Sequence, residues 1–395
     1  MLTKNTTFTI GSKVIILLTN FALVVFTTHL WGSNGRGEIA LVIANISIIT
    51  IFSNIFCGST IAYHVPKQPR DFLLTISFVG AIIISMSGAI IFSFLFGFKY
   101  FWPLLVISFL LSLLTSISTY WLGKKNFNYY NFLTLLSPIT IIIILAFFYF
   151  ILNKTSIYTY FQAYSIGTVI VLIIGIAGLA ANKSFKIPEI SFPGIKSVLN
   201  YGINNEFSYL IQFLNYRISY FFIAKMMGLG QLGIFSIVVS ISEAVWIISR
   251  SMSVIHFSNV INSDDIIKIR QETKVFARQS FWISFLILSI SVLLPASLYQ
   301  FVFGTEFGYV RKLILYILPG VMAIAVSNLY GHYFSGIGKL KILRNKSIIG
   351  LVATILLLPL LIKKYQLAGV CISMNVSYIL SSLYLWFNFR KEGKL

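Results

Sequence analysis

Long apolar segments recur along the whole chain and leave few folds open to it. Of 395 residues, 57% are hydrophobic and only 10% are charged, whereas a water-soluble domain carries about 25% charged residues. Since no water-soluble fold buries so much apolar surface, lipid must surround most of the chain. A helix needs about 20 mostly apolar residues to cross a bilayer, and about twelve such spans are predicted: 8–31, 39–63, 72–96, 101–122, 131–152, 157–182, 201–226, 231–256, 276–302, 311–335, 345–362 and 367–389.

The basic residues indicate how these spans are oriented. The chain has 30 Lys and Arg against 10 Asp and Glu, for a formal net charge of +20. In a water-soluble protein this balance would suggest nucleic-acid binding. Here most of the cations lie at the two chain ends and in the turns after even-numbered spans. Because cytoplasmic loops are enriched in Lys and Arg, we predict that both termini are cytoplasmic and that nucleic acid is not a partner.

Neither a metal site nor a cofactor site is indicated by the sequence. Cys57 and Cys371 lie far apart inside apolar segments, and no Cys/His spacing is typical of a metal centre. Near the N-terminus, Lys4 and Lys13 precede a long apolar run without a small-residue cleavage site. This pattern favours a retained first span over a cleaved signal peptide.

The two halves of the chain carry similar glycine turns in the same order. The segment 32–37 closes the first predicted hairpin, and 228–233 closes the seventh, with the same spacing from first to last glycine. Single glycine turns are common, but a matching order predicts two similar halves of six spans, related by an axis along the membrane normal. Two further matches are 95–97 with 302–304, and 123–124 with 338–339.

The longest polar stretches suggest where the halves join. We predict a six-helix lobe over 1–182, a cytoplasmic linker over 183–200 and a second six-helix lobe over 201–395, because Pro and Gly in the linker discourage a continuous helix. The segment 263–278 alternates charged residues with isoleucines. It fits either a short amphipathic helix at the membrane surface or a solvated connector.

With these motifs the chain resembles the polysaccharide-exporter branch of the multidrug/oligosaccharidyl-lipid/polysaccharide (MOP) exporter superfamily. In length it is most similar to the O-antigen flippases (Wzx-type). The resemblance rests on the two glycine turns and on three further segments: Phe303-Gly304-Thr305-Glu306-Phe307, Pro319-Gly320 and Gly336-Ile337-Gly338-Lys339.

This resemblance implies an all-α, MATE-like protein of the bacterial inner membrane, with two pseudo-symmetric lobes that open alternately to cytoplasm and periplasm. The implied cargo is an O-antigen or similar repeat unit on undecaprenyl pyrophosphate, moved to the periplasmic leaflet for lipopolysaccharide biosynthesis. The implied partners are membrane lipids, a polysaccharide polymerase and chain-length proteins. No covalent reaction is implied, so the chain is expected not to be an enzyme.

Two other functions compete with this interpretation. One is a drug or ion antiporter of the same fold, which often keeps a carboxylate deep in the first lobe. Here the first lobe has only Glu38 and Asp71, both at span ends. The other is a membrane O-antigen polymerase, an enzyme, for which the predicted periplasmic loops are too short to carry catalytic groups.

Charges inside the predicted spans are few and therefore informative, since each costs roughly 2.5–3.5 kcal/mol at mid-span. Spans seven and eight contain Glu206, Arg217, Glu243 and Arg250. A hairpin about residues 228–229 would place Glu206 level with Arg250, and Arg217 level with Glu243. These pairs either hold the hairpin together or leave the two arginines, whose planar forks bind phosphate oxygens, to attract a pyrophosphate. Glu206 and Glu243 are then the charge-pair or coupling residues.

Three further residues are candidate site residues, each with an ordinary alternative. Lys13 lies five residues inside span one, where it either extends to the cytoplasmic surface or contributes a substrate-binding cation. His29 and His332 are either polar interfacial residues or proton-linked, because histidine titrates near neutrality. In span seven, Tyr209, Tyr216 and Tyr220 either stack on sugars or belong to the core.

Overall fold

The computed structural model describes residues 4–180, 192–261 and 265–392, and in these ranges the regular structure is entirely helical. The predicted all-α class is confirmed. Short 3-10 turns precede α4 and α11. The helices are α1 Lys4–Ser53, α2 Gly58–His64, α3 Arg70–Phe96, α4 Phe101–Gly123, α5 Phe127–Phe150, α6 Tyr158–Ala180, α7 Phe192–Met227, α8 Leu229–Ile261, α9 Ile266–Leu293, α10 Ala296–Phe303, α11 Val310–Gly336 and α12 Leu340–Glu392.

The protein is a multi-pass membrane protein by the length and composition of these helices. Within the described ranges, 9 helical stretches are long and apolar enough to cross a membrane. Two of them contain a residue with non-helical backbone angles, Gly32 in α1 and Gln366 in α12. Each therefore joins two helices, which correspond to predicted spans one and two and to predicted spans eleven and twelve. The count of twelve spans stays a prediction.

Two polar stretches differ from their predicted structures. The segment predicted over 263–278 is not a separate helix, because from Ile266 onward it is the first part of α9. The Asp265 side chain begins that helix by accepting a hydrogen bond from the Lys268 backbone N–H at 2.9 Å. Of the predicted linker, residues 192–200 are helical. Pro193 fits there because a proline in the first turn gives up no intrahelical hydrogen bond. Residues 183–191 and 262–264 lie outside the described residues.

The chain forms two compact units, which are named here by their residues. Unit 1 comprises 1–24 and 42–210, and unit 2 comprises 25–41 and 211–395. The turn of the first hairpin therefore belongs to unit 2, and the start of α7 belongs to unit 1. The lobes predicted over 1–182 and 201–395 stay a prediction.

Each unit has its own packed core. In unit 1 the buried side chains come from α2 to α7 and include Phe72, Leu133 and Val198. In unit 2 a corresponding cluster from α8, α9, α11 and α12 surrounds Tyr333 and Phe389. Because lipid is as apolar as a leucine side chain, membrane helices associate through close packing and interhelical hydrogen bonds. Unit 1 illustrates this with α4, where Ser108, Ser112 and Ser116 are fully buried.

Candidate functional site

The two glycine turns that repeat in the sequence pack against each other inside unit 2. A Cβ atom added at Gly37 would overlap the carbonyl oxygen of Leu229, and one added at Gly233 would overlap the carbonyl oxygen of Ser33. The contact is reciprocal, because the last glycine of each turn packs against the carbonyl group of the second residue of the other turn. Only glycine lets the two backbones approach this closely.

Two hydrogen bonds with Val302 and Glu306 hold the first of these turns in place. Glu306 Oε2 accepts a hydrogen bond of 2.7 Å from the Ser33 backbone N–H. His29 Nε2 lies 2.8 Å from the Val302 carbonyl oxygen, so this nitrogen carries the proton and donates it. The His29 side chain therefore links the first glycine turn to the backbone at Val302, and a proton-linked role for His29 stays a prediction.

Replacing Glu306 with Ala is expected to destabilise the protein by about 1.5–3 kcal/mol, because hydrogen bonds to charged groups are worth about that much. Thermal unfolding of the purified protein in detergent measures the effect. Glu306→Gln is the matched control, because it keeps an acceptor oxygen and should lose less. Equal unfolding temperatures for the Ala variant and the wild type would contradict the assignment.

The Arg217 and Glu243 side chains form an ion pair between α7 and α8, as their equal depth in the hairpin predicts. Arg217 Nη2 donates to Glu243 Oε1 at 2.8 Å and to Oε2 at 3.0 Å. Arg217 Nη1 also lies 3.4 Å from the Tyr220 hydroxyl. The side chains are only 21% and 35% exposed. The Glu243 carboxylate therefore neutralises the charge of Arg217, and a substrate-binding role for Arg217 stays a prediction.

An aromatic cluster adjoins this pair. The rings of Tyr216, Trp246 and Tyr378 lie within 6 Å of one another, between their centroids. The Trp246 indole N–H donates to the Val321 carbonyl oxygen at 3.0 Å. Tyr216 and the buried Tyr220 therefore belong to packed structure rather than to an open stacking surface, unlike Tyr209, which is 53% exposed.

A second group of basic side chains converges in unit 2, on α8, α11 and α12. Arg250, His256 and Lys346 lie close enough to the His332 ring to interact with it electrostatically. Lys346 is only 7% exposed. Among the described side chains of unit 2, none forms a hydrogen bond or ion pair with Arg250, His332 or Lys346. A buried cation is costly unless it is paired, and this applies to Lys346, whereas Arg250 is exposed. The basic cluster is therefore suited to an anion.

The basic cluster contains a residue, Lys346, that the sequence did not identify as a candidate site residue. Lys346 stands at the edge of predicted span 345–362 and was assigned to a cytoplasmic turn. The structure extends α12 back to Leu340, which places Lys346 inside the helix and turns it inward. A helical pattern that continues through Leu340 and Ile342 was the available signal.

The other predicted site residues belong to unit 1. Glu206 is 5% exposed, and its Oε1 accepts hydrogen bonds from Ser59 Oγ at 3.2 Å and Asn205 Nδ2 at 2.8 Å. Glu206 and Arg250 lie in different units, so their pairing stays a prediction. Lys13 is an exposed residue of α1. Its extension to the cytoplasmic surface and its role as a substrate-binding cation both stay predictions.

Unit 1 also contains an apolar cavity of about 450 Å³ between α3, α4 and α6. Arg70 lies at this cavity, but its Nε donates to Asp71 Oδ1 at 2.7 Å and its Nη1 donates to the Leu179 carbonyl at 3.1 Å. The arginine is therefore neutralised, and the cavity lacks the features of an anion site. The predicted site residues lie instead on α1, α7, α8 and α11.

Comparison with known proteins identifies the fold. No family model matches the chain, and no curated protein matches it. Among solved structures, a MATE-family multidrug resistance transporter of the MOP superfamily, in an inward-facing conformation, aligns with a TM-score of 0.80 at 15% identity, over 95% of this chain and 94% of that one.

Two other solved structures give the same result. The lipid II flippase MurJ, in an inward closed conformation, aligns with a TM-score of 0.70 at 15% identity, over 98% of this chain and 87% of that one. A mutant of the Vibrio cholerae MATE transporter VcmN aligns with a TM-score of 0.69 at 14% identity, over 99% and 96% of the two chains. The chain thus has the fold of the MOP-superfamily transporters.

Proposed function

We propose that this protein is a flippase that carries a saccharide on undecaprenyl or a similar polyprenyl pyrophosphate across the bacterial inner membrane. The observation that carries the proposal is the basic cluster of Arg250, His332 and Lys346, which lacks an acidic partner among the described side chains of unit 2. A diphosphate supplies the missing negative charge. Arginine binds phosphate oxygens through two parallel N–H groups, and lysine binds them as a compact charge.

The mechanism follows from the charge and from the fold. The pyrophosphate and its sugars enter from the cytoplasm and bind the basic cluster, while the polyprenyl chain stays in lipid. A change in the opening of the two halves then exposes the head group to the periplasm. No bond is made or broken, so the protein acts as a transporter rather than an enzyme. The lipid II flippase MurJ, which has the same fold, supports a lipid-linked cargo.

The O-antigen repeat unit is the proposed saccharide, as the family resemblance implies, with a polymerase and chain-length proteins acting on the product. Both termini are proposed to lie in the cytoplasm, because the basic turns lie on that side of the predicted topology.

A drug or ion antiporter is the second candidate function. The fold is shared with a multidrug resistance MATE transporter, and Glu206 is a buried carboxylate in unit 1 with neutral hydrogen-bond partners. A cationic drug would be repelled by the basic cluster, whereas an anionic lipid head group would be attracted to it. The charge therefore favours the flippase.

Exchanging Lys346 and Arg250 together for Gln is expected to weaken binding of undecaprenyl diphosphate at least about 100-fold, because two charge-assisted contacts of about 1.5–3 kcal/mol each are lost. Native mass spectrometry of the purified protein measures this binding. In a deletion strain, the same variant should leave lipid-linked units on the cytoplasmic face.

The matched control is the pair Lys363→Gln and Lys364→Gln, which removes the same charge from exposed positions of α12. This control should bind undecaprenyl diphosphate like the wild type. Unchanged binding by the Lys346 and Arg250 variant would refute the proposed site. Efflux of a cationic dye without any binding of the diphosphate would favour the antiporter.

A further inference from the structure

The first part of α7 has two exposed faces of opposite character. Side chains four residues apart lie on one face of a helix, so Tyr201, Asn205 and Tyr209 form one stripe. Ile203 and Phe207, which are 51% and 57% exposed, lie roughly 160° away around the axis. The apolar face suits lipid, whereas the polar groups of the stripe, in which Tyr201 and Asn205 are partly exposed and Tyr209 is exposed, would be costly there. The stripe therefore suits a polar environment.

The helix α2 adds a matching row of side chains to this stripe. The rings of Tyr63 and Tyr201 stack in parallel, with centroids 4.0 Å apart and planes at 8°. Lys67 Nζ lies 3.6 Å from the centroid of the Tyr63 ring. Tyr63 is nevertheless 44% exposed, so part of this residue remains accessible.

One turn further along both helices, polar groups continue the row. Asn205 Nδ2 donates to Ser59 Oγ at 2.8 Å and to Glu206 Oε1 at 2.8 Å. Ser59 Oγ in turn donates to the same carboxylate oxygen at 3.2 Å. Hydroxyl, amide and carboxylate groups therefore lie beside two aromatic rings, all within unit 1.

The position of this row is fixed by the backbone. A Cβ atom added at Gly202 would overlap the carbonyl oxygen of Ile55, so α7 lies directly against the chain before α2. Below the stack, His64 is buried and its Nε2 lies 3.2 Å from Ser197 Oγ. The tyrosines and the polar groups thus project from a rigid support.

We infer that this α2–α7 face, formed by Ser59, Tyr63, Tyr201, Asn205, Glu206 and Tyr209, binds the saccharide of the cargo. This inference rests on the proposed flippase function. Sugar hydroxyls both donate and accept hydrogen bonds, and the face offers neutral donors together with carboxylate and phenol acceptors. The tyrosines combine an apolar ring with a polar tip, which suits the mixed surface of a sugar.

The occupant is assigned as a saccharide because the other membrane ligands fit the face poorly. Ser59, Asn205 and Glu206 hydrogen-bond to one another, but these bonds do not use all of their donors and acceptors. A lipid tail would leave the remaining capacity unmet, which costs free energy. A bare diphosphate would meet the negative charge of Glu206. A neutral, polyhydroxylated ligand satisfies the donors and acceptors without burying an unpaired charge.

The test compares two probes on the purified protein by native mass spectrometry. One probe is undecaprenyl diphosphate, and the other is the same lipid carrying the repeat unit, extracted from the source bacterium. The wild type should bind the glycosylated lipid at least about tenfold more tightly, equivalent to one or two net hydrogen bonds. The double variant Tyr63→Leu with Tyr201→Leu should lose this preference and still bind the bare lipid.

Milder and matched variants keep the test decisive if the double variant fails to fold. Tyr63→Phe with Tyr201→Phe keeps both rings and removes both hydroxyls, and should reduce the preference about threefold or more. Tyr365→Leu is the control, because Tyr365 is also an exposed tyrosine, at 46%, beside a lysine. It should keep the full preference.

The outcomes separate this inference from the proposed function. Full preference in the Tyr63 and Tyr201 variants, or equal binding of the two probes by the wild type, would overturn the saccharide face while leaving the flippase in place. Failure of the wild type to bind either lipid would overturn both. Loss of the preference in the variants, with retained binding of the bare lipid, supports the inference.

Discussion

Replacing Gly37 with Ala, or Gly233 with Ala, is expected to abolish most export of the cargo and to destabilise the protein by about 1–3 kcal/mol, the usual cost of overpacking. Each added methyl group would overlap a backbone carbonyl oxygen, that of Leu229 or Ser33. A flexible side chain can turn away from such a clash, but a carbonyl in a packed turn cannot. The two turns must therefore separate.

The reciprocal geometry makes the prediction specific. Because the two glycines occupy equivalent positions in the two motifs, their alanine variants should have similar effects, and the double variant should cost little more than either one. Once the turns have separated, the second methyl group has nothing left to disrupt. Thermal unfolding in detergent and export in a deletion strain measure these effects.

Gly331→Ala is the control for these variants. Gly331 is a helical glycine of unit 2 at which an added Cβ would lie 3.8 Å from the Leu343 side chain, an ordinary contact. Export and stability should stay at or above the wild-type level, since alanine also favours the helix. Wild-type behaviour of the Gly37 variant would show that the turns can pack without glycine.

The sequence predicted the helical class well because its signal is long and local. Apolar runs of about 20 residues leave almost no alternative to membrane helices. The pairing of Arg217 with Glu243 was also accessible, since both lie on adjacent helices joined by a tight turn and depth can be counted from that turn. Local regularity was sufficient in both cases.

Contacts between distant segments could not be predicted in this way. The matching glycine turns indicated similar halves, but nothing in their spacing showed that Gly37 would meet Leu229. Likewise, the hydrogen bond from Ser33 to Glu306 spans 273 positions. The helical periodicity of each segment specifies which residues share a face, but not which other face they meet.

For the same reason, the sequence did not predict the surroundings of several polar side chains. Lys346 was interpreted as a turn residue because a lysine at a span end usually extends to the surface. Tyr63 is the last residue of predicted span 39–63 and Lys67 lies in the turn after it, and only the stacking of Tyr63 on Tyr201 shows a common surface. Tertiary packing decided the environment of each of these residues.

Reversing one charge of the pair between α7 and α8, by Arg217→Glu, is expected to destabilise the protein by at least about 3 kcal/mol. The substitution removes the partner of Glu243 and places a second carboxylate beside it. Breaking a fully buried pair costs about 3–5 kcal/mol, and this partly buried pair loses its attraction and also gains a repulsion. Protein level in the membrane and unfolding temperature in detergent should both fall sharply. Arg217→Met should cost less, because it leaves an unpaired charge without adding repulsion.

The double variant Arg217→Glu with Glu243→Arg tests what the pair does. It restores opposite charges at the same two positions, and the Tyr220 hydroxyl, which lies 3.4 Å from Arg217 Nη1, can donate as well as accept. Because Arg217 is already neutralised by Glu243 at 2.8 Å, we expect the swap to recover both membrane level and most export. If the membrane level recovers but export does not, the guanidinium at position 217 itself binds the diphosphate. Only in that case does the position of the guanidinium matter, in addition to the charge that it balances.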